Sequence, residues 1–523
     1  MKRRDFLRNT IPATILPSFI NGESVTALAP NSFLNAITNY AEETDHVLVI
    51  IEMNGGNDGL NMVIPRDTYS AYYNIRSNIA IPEANILRLQ GAEKTGLHPA
   101  MTGIQQLFND GKVAIVQAAG YPEPNLSHFR STDIWMSASD SNEVVTTGWM
   151  GRYLNEEYPN YPSGYPNATM PDPPAIQIGS LSSLAFHGPN IGMAMTITNP
   201  TSFYRIVDDV QDPAPATRAG KELTYIREIA RQTEKFADAI KRAATRSTQQ
   251  LPYPEDNGLA NQLKIVARLI KGGLKTRVYK VSMRGFDTHS MQTEMGNPLQ
   301  GVHAVLLKEL SDAMKAFQDD LAFLGLEDRV LSFTFSEFGR RINSNFSIGT
   351  DHGEAAPMMV FGSRVQPGII GNNPGIPPPG SNSNIPHQYD YRSVYASILE
   401  SWFCADNVTL QSVLLKNFQS LPVIQQGACS NVSRPKSTEV SLISNYPNPF
   451  TINTTVKYIT QGGHTLVQVI DCMGRVVRKL VDTNQTGNTY TVSFDSTGLA
   501  PGIYYLRLQN GPLQQVKSML KVR

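Results

Sequence analysis

Residues 329–362 read RVLSFTFSEFGRRINSNFSIGTDHGEAAPMMVFG, and the rest of the chain is arranged around them. Val330 to Phe335 is a short apolar run rich in β-formers, and Pro357 to Phe361 is another; each predicts a strand. Between them lie Glu337, Asp351 and His352, each close to a strand end and surrounded by glycines. In open α/β sheets ligands bind beyond the carboxyl ends of the strands. An Asp-His dipeptide there offers one carboxylate oxygen and one imidazole nitrogen to a divalent metal. Short Asp/His/Gly turns are common without a metal, so this pair gains weight only from the other strand ends.

The chain has 523 residues, 17% charged and 41% hydrophobic, with Lys+Arg equal to Asp+Glu at 45 each. That is the composition of a globular protein long enough for two or more domains. A net charge of zero gives no argument for nucleic acid or an anionic membrane. Three cysteines are too few for a disulfide scaffold.

The N-terminus reads as a targeting segment. Lys2-Arg3-Arg4-Asp5-Phe6-Leu7 places a twin arginine before Phe-Leu, and the apolar run Ile11 to Ile20 follows. That run is too short to span a bilayer and fits a twin-arginine export signal over residues 1–29. No other stretch is a transmembrane candidate.

His46 to Met53 reads as a continuous β-branched run, the mark of a strand buried on both faces. It ends in Asn54-Gly55-Gly56-Asn57-Asp58-Gly59, where glycines let the backbone pass close to a ligand. Asp58 is then a ligand carboxylate or a plain turn aspartate. Lys112 to Ala118 is a second strand, and Ser127 follows where a helix should begin. Helix N-termini attract anions, so the Ser127 hydroxyl could attack a phosphorus or sulfur centre held there; the bland alternative is an N-cap serine. Residues 155–215 are rich in Pro, Gly, Ser and Asn and predict a long irregular rim, with one strand-like piece at Ala175 to Ile178. Ala219 to Ser247 and Leu259 to Ile270 predict amphipathic helices.

Arg277 to Met283 is a strand, continued by Arg284-Gly285-Phe286-Asp287-Thr288-His289. An extended chain there puts Asp287 and His289 on one side, because side chains alternate with period two. His303 falls in the predicted helix Val302 to Phe323 and reads as core or surface. His387 is a weak late candidate. Four strand ends thus carry Asp58, Asp287 with His289, Glu337, and Asp351 with His352. One such end is noise; four predict a dinuclear metal site.

After Cys429 the composition changes. Ser430 to Val440 is polar, and the remainder reads as short strands with turns at Gly462-Gly463, Met473-Gly474, Gly487-Asn488, Pro501-Gly502 and Asn510-Gly511. This predicts a small β-sandwich with no metal ligand set, nucleophile or basic patch.

Residues from about 45 to 425 resemble the family of domain of unknown function fifteen-oh-one, within the alkaline phosphatase and sulfatase superfamily. The matching pieces are GGNDGLN (55–61), SHF (127–129), GW and GR (148–152), FDTH (286–289), SEFGR (336–340) and GTDHG (349–353). The resemblance implies an alkaline-phosphatase-like α/β/α sandwich and divalent metal, zinc first, with manganese or calcium as alternatives. It implies hydrolysis of phosphate or sulfate esters of small molecules or polymers by a Ser, Thr or formylglycine nucleophile. The formylglycine signature occurs nowhere in the chain, a departure from a typical sulfatase; the resemblance carries the nucleophile over to Ser127. The tail, with SNYPNPF (444–450), DCMGRVV (471–477) and LAPGIYYLRL (499–508), resembles the type A sorting domain of type IX secretion, an all-β immunoglobulin-like sandwich.

The expected organisation is a signal over 1–29, the main domain over 45–429, a linker over 430–443 and the sorting domain over 444–523. The implied partners are the twin-arginine and type IX export machineries, with a secreted or cell-surface location. Export also predicts a disulfide between Cys404 and Cys429, both in the last segment of the main domain, with Cys472 left in the tail. Two functions fit: an exported metal-dependent ester hydrolase with Asp58, Asp287, His289, Glu337, Asp351 and His352 as ligands, or a non-catalytic cell-surface binding protein that keeps the fold.

Overall fold

The computed structural model describes residues 45–199, 236–429 and 441–522, apart from 379–382 and a few single positions, together with the short pairs 19–20 and 23–24. The signal reading, the linker 430–440 and the first part of the predicted helix from Ala219 fall almost wholly outside these residues.

The core of the main domain is one nine-stranded sheet. Its strands are β1 (Val47–Asn54), β2 (Val113–Gly120), β3 (Ala175–Ile178), β4 (Ala194–Ile197), β5 (Val278–Arg284), β6 (Val330–Phe335), β7 (Ala356–Phe361), β8 (Gly368–Ile370) and β9 (Tyr389–Asp390). The order is β8–β2–β7–β6–β1–β5–β3–β4, with β9 also beside β2. β1 sits at the centre, in parallel register with β5 and β6. Its first seven residues are all buried, because both faces of the sheet are covered. Val47, Val49, Ile51 and Met53 enter one core with helices α1 (Thr102–Asn109), α4 (Gly258–Lys271) and α5 (Val302–Phe323). Leu48 and Ile50 enter the other with α2 (His128–Ser137), α3 (Trp149–Glu157), α6 (Tyr391–Ser397) and α7 (Asn407–Leu414). The main domain is therefore an α/β/α sandwich.

One strand departs from an all-parallel reading. β7 pairs antiparallel with both β6 and β2. The connection from β6 to β7 is thus a long hairpin loop, residues 336–355, which lies wholly at the carboxyl edge of β6. Asp351 and His352 reach the common edge by preceding β7, not by following a strand. Asp287 and His289 differ from expectation in another way. The strand ends at Arg284, and Gly285 (φ +110°) turns the chain into a loop; these two side chains meet by loop geometry and not by strand alternation.

The tail is all-β. Its strands β10 (Ser441–Tyr446), β11 (Asn453–Ile470), β12 (Val476–Asp495), β13 (Gly502–Asn510) and β14 (Leu513–Lys521) form one antiparallel sheet. The core holds Phe450, Val456, Tyr458, Val467, Phe494, Leu506 and Met519. The turns expected at Gly462-Gly463 and Gly487-Asn488 do not break the strands. Both glycines of the first pair take positive φ, +101° and +85°, and stay paired with Thr486 and Gln485. Only glycine reaches that backbone region without steric cost, so one long hairpin bends where two short ones were expected.

Cys404 and Cys429 form a disulfide with Cα atoms 5.6 Å apart, as the sequence predicts. It closes a loop with a sequence separation of 25 residues. On loop entropy, Cys404→Ser with Cys429→Ser should lower unfolding stability by about 3 kcal/mol. Chemical denaturation of the double variant checks this; an unchanged midpoint contradicts it.

Candidate metal centre

The carboxyl edge of the central strands carries a crowded set of loops. The loop after β1 passes over the one after β5. A Cβ on Gly55 would lie 2.3 Å from the Asp287 backbone nitrogen, and Gly55 has φ +127°. No side chain fits there, so the glycine is required for the two loops to cross. The Gly55 N–H then points at Glu337, 2.9 and 3.1 Å from its two oxygens. Arg340, fully buried, ties the layers. Its Nε donates to the Gly56 carbonyl at 2.6 Å and its Nη1 to the Thr350 carbonyl at 2.7 Å. Its Nη2 donates to Asp287 Oδ1 at 2.6 Å.

Around that same Asp287 oxygen three imidazoles converge. His289 Nε2 lies 3.2 Å away, His352 Nε2 3.4 Å and His128 Nε2 3.5 Å. His289 Nε2 and His352 Nε2 are 2.8 Å from each other. His128, Asp287 and His352 together offer ligand atoms all within 4.8 Å of one another.

The remaining ring nitrogens decide the protonation. His352 Nδ1 faces the Leu126 carbonyl at 2.8 Å. A carbonyl only accepts, so Nδ1 carries the hydrogen and Nε2 presents a lone pair. His128 Nδ1 faces Glu337 Oε1 at 2.8 Å and so donates to it, which turns its Nε2 towards Asp287. His289 Nδ1 faces Asp351 Oδ1 at 3.4 Å. In their neutral form, with the outer nitrogens donating, the His128 and His352 rings aim lone pairs at a carboxylate oxygen. A cation, whether a metal ion or a proton on a ring, relieves such a set of acceptors. Imidazoles whose second nitrogen donates to a carboxylate or carbonyl are the usual ligands of zinc and similar divalent ions. By the chemistry of its donors, the centre fits a divalent ion.

Of the residues read from the sequence, Asp287, His289 and His352 face the centre directly. Glu337 and Asp351 stand one layer behind, each against the far nitrogen of a histidine. Asp58 is elsewhere. It is buried, takes Arg76 Nη1 at 2.7 and 2.9 Å, and accepts from Gln292 Nε2 at 2.6 Å. Gln292 in turn accepts from Thr288 Oγ1 and Thr350 Oγ1. Asp58 thus anchors the floor beneath the two histidine loops. Ser127 is exposed at the N-cap of α2, but its side chain makes no capping hydrogen bond. His387 is outside the cluster. His128 was not singled out as a ligand; its signal was its place directly after Ser127, at the first turn of a helix that follows a central strand.

The charges agree with this layout. Burial works to raise the Asp287 pKa, but the Arg340 hydrogen bond and charge hold it below the ordinary carboxylate value. The hydrogen bond from Asn345 does the same for Asp351. Burial lowers the His352 pKa, and the nearby Arg340 charge adds to this.

Comparison with known proteins adds two family matches. Residues 208–385 match the family described as protein of unknown function (DUF1501). Residues 444–522 match the secretion system C-terminal sorting domain. The sorting-domain match indicates export and a secreted or cell-surface location. No helix among the described residues is long and apolar enough to cross a membrane. No curated protein matches the chain. Among solved structures, it is similar to the PsFucS1 sulfatase from Pseudoalteromonas sp., at 11% identity and TM-score 0.34, over 89% of this chain and 86% of that one. It is also similar to an alkaline phosphatase superfamily protein from Vibrio parahaemolyticus, at 9% identity and TM-score 0.31, over 91% and 83%.

Behind the centre lies a second pair of histidines. His303, on α5, is buried and its Nε2 meets Asn57 Oδ1 at 2.9 Å; the His98 ring is 6.1 Å from it, edge-on. Burial pushes His303 down to about 4 and His98 down to about 3. Both are neutral in the fold and become protonated in the unfolded chain below about pH 6.5. Their neutral state therefore favours folding above that pH, and the advantage is lost as pH falls from about 6.5 towards 4, by up to about 1.4 kcal/mol per pH unit for each histidine. His303→Gln keeps a donor for Asn57 and removes one titration. Urea midpoints between pH 7 and 4 should fall less steeply in this variant; an unchanged slope contradicts the assignment.

Proposed function

We propose that the chain is an exported, metal-dependent hydrolase of phosphate or sulfate esters. The observation that carries this reading is the convergence of His128, His289 and His352 on Asp287 Oδ1, with every second ring nitrogen facing an acceptor. These four side chains would hold the ion, zinc before manganese or calcium because imidazole dominates the set. A divalent ion held there supplies a Lewis acid beside the ester. Glu337, Asp351 and the Leu126 carbonyl orient the rings. Arg340 keeps Asp287 ionised and in place. Ser127, one residue before His128 and at the open end of α2, is the attacking group. Its Oγ forms the bond to phosphorus or sulfur, the ester oxygen leaves with a proton as the alcohol, and water then frees the acid. The centre is open to solvent, with Asp287 and His289 about half exposed, so a bulky or polymeric ester can reach it.

A second reading keeps the ion and drops the chemistry. His128, Asp287 and His352 alone leave the open position of a catalytic zinc, whereas His289 as a fourth ligand would complete the set of a structural site. The four-ligand count would favour a metal-stabilised surface-binding protein.

Metal analysis of the purified protein, with variants, separates these readings. Wild type should hold bound zinc, and saturation at a hundred times the dissociation constant should add about 2.7 kcal/mol of stability. His128→Ala, and Asp351→Ala with His352→Ala, should lose metal, that added stability and ester hydrolysis together. Ser127→Ala should keep its metal and lose turnover. A wild type that takes up no zinc, manganese or calcium contradicts both readings; a metal-loaded wild type that hydrolyses no phosphate or sulfate ester leaves the second.

A further inference from the structure

Two of the three rings have buried or backbone anchors: Glu337 is 2% exposed, and the Leu126 oxygen belongs to the main chain. His289 is different. Its anchor, Asp351, has a side chain 51% exposed, and an exposed carboxylate does not hold a position by itself. Asn345 holds it. The Asn345 Nδ2 donates to Asp351 Oδ1 at 3.1 Å and to the His289 carbonyl at 2.9 Å. Its Oδ1 accepts from the Ser347 and Gly349 N–H groups at 2.9 and 3.1 Å. The amide cannot be turned over: one end faces only donors and the other only acceptors.

The two ends do separate jobs. The oxygen closes the turn 345–349. The nitrogen reaches across to the other loop. Yet the loops are already laced by main-chain bonds, from Met291 N–H to the Ser347 oxygen, Gln292 N–H to the Ile348 oxygen, and Thr350 N–H to the Thr288 oxygen. The loops therefore meet without the nitrogen. What remains for it is to fix the Asp351 carboxylate and the His289 backbone relative to each other.

We infer that Asn345 is a positioning residue that sets the His289 ring through Asp351, and that the ion affinity of the centre depends on its amide nitrogen. This rests on the metal reading above. Outer partners of ligating histidines typically govern roughly ten- to a hundredfold in metal affinity.

Cobalt(II) is a suitable probe, because its visible spectrum reports ligand geometry. In Asn345→Ser the hydroxyl keeps an acceptor for the turn but is too short to reach Asp351. It should bind cobalt roughly ten- to a hundredfold more weakly than wild type, with a changed spectrum. Its metal-free unfolding transition should stay cooperative. Should the serine variant not fold, Asn345→Asp retains the oxygen facing both N–H groups, and it must likewise change the cobalt spectrum. Wild-type affinity and spectrum in a folded variant overturn the inference while leaving the metal reading intact. A wild type that binds no cobalt and no zinc overturns both.

Discussion

The structure depends on a concentration of acceptors at one carboxylate oxygen. Asp287 Oδ1 has three imidazole nitrogens within 3.5 Å and one cation, Arg340, at 2.6 Å. In the neutral rings two of the imidazole nitrogens present lone pairs, because carbonyl or carboxylate oxygens take up the hydrogens on their far sides. In water such a group of acceptors would separate. Here it is held because each member is fixed from behind, and Arg340 alone cannot satisfy it. Its other donors already go to the Gly56, Thr350 and Phe286 carbonyls.

The fold supplies the fixing. β1, β5 and β6 run parallel and deliver three loops to one edge. β7 runs the other way, so the loop before it arrives at that edge too. Helix α2 starts over the same place and brings His128 from a separate layer. Glu337 then joins layers 209 residues apart in sequence by accepting from His128. The Gly55 N–H and the Ser336 hydroxyl bind the same carboxylate from the sheet side. A single buried carboxylate thus links the central strand, the hairpin loop and the helix.

Much of this was legible in the sequence. The runs at His46–Met53 and Val330–Phe335 correspond to buried strands, the first observed as Val47–Asn54, and the helix Val302–Phe323 has the expected bounds. Asp287 with His289 and Asp351 with His352 stood out because both members of each pair are close in sequence and beside strand ends. Asp58 was misleading for the same reason. A glycine-rich turn after a central strand looks alike whether its aspartate meets a ligand or an arginine, and Arg76 is 18 residues away with nothing to mark it as the partner. His128 was hidden because its meaning lies in contacts with Glu337 and Asp287, over 150 residues distant in the chain. The direction of β7 was equally hidden, since a short apolar run carries no sign of parallel or antiparallel pairing. In the tail, Gly462 and Gly463 read as a turn, but in a long hairpin positive-φ glycines can bend paired strands.

The central claim is that one ion is held by three imidazoles and one carboxylate, with Glu337 and Asp351 outside its shell. X-ray absorption on the zinc-loaded full chain tests it most directly. The account predicts a single zinc site with three histidine nitrogens and one oxygen at about 2.0–2.1 Å, and a shell reduced to two imidazoles in His128→Ala. A shell with one imidazole and mainly oxygen, or one left unchanged in His128→Ala, would contradict it.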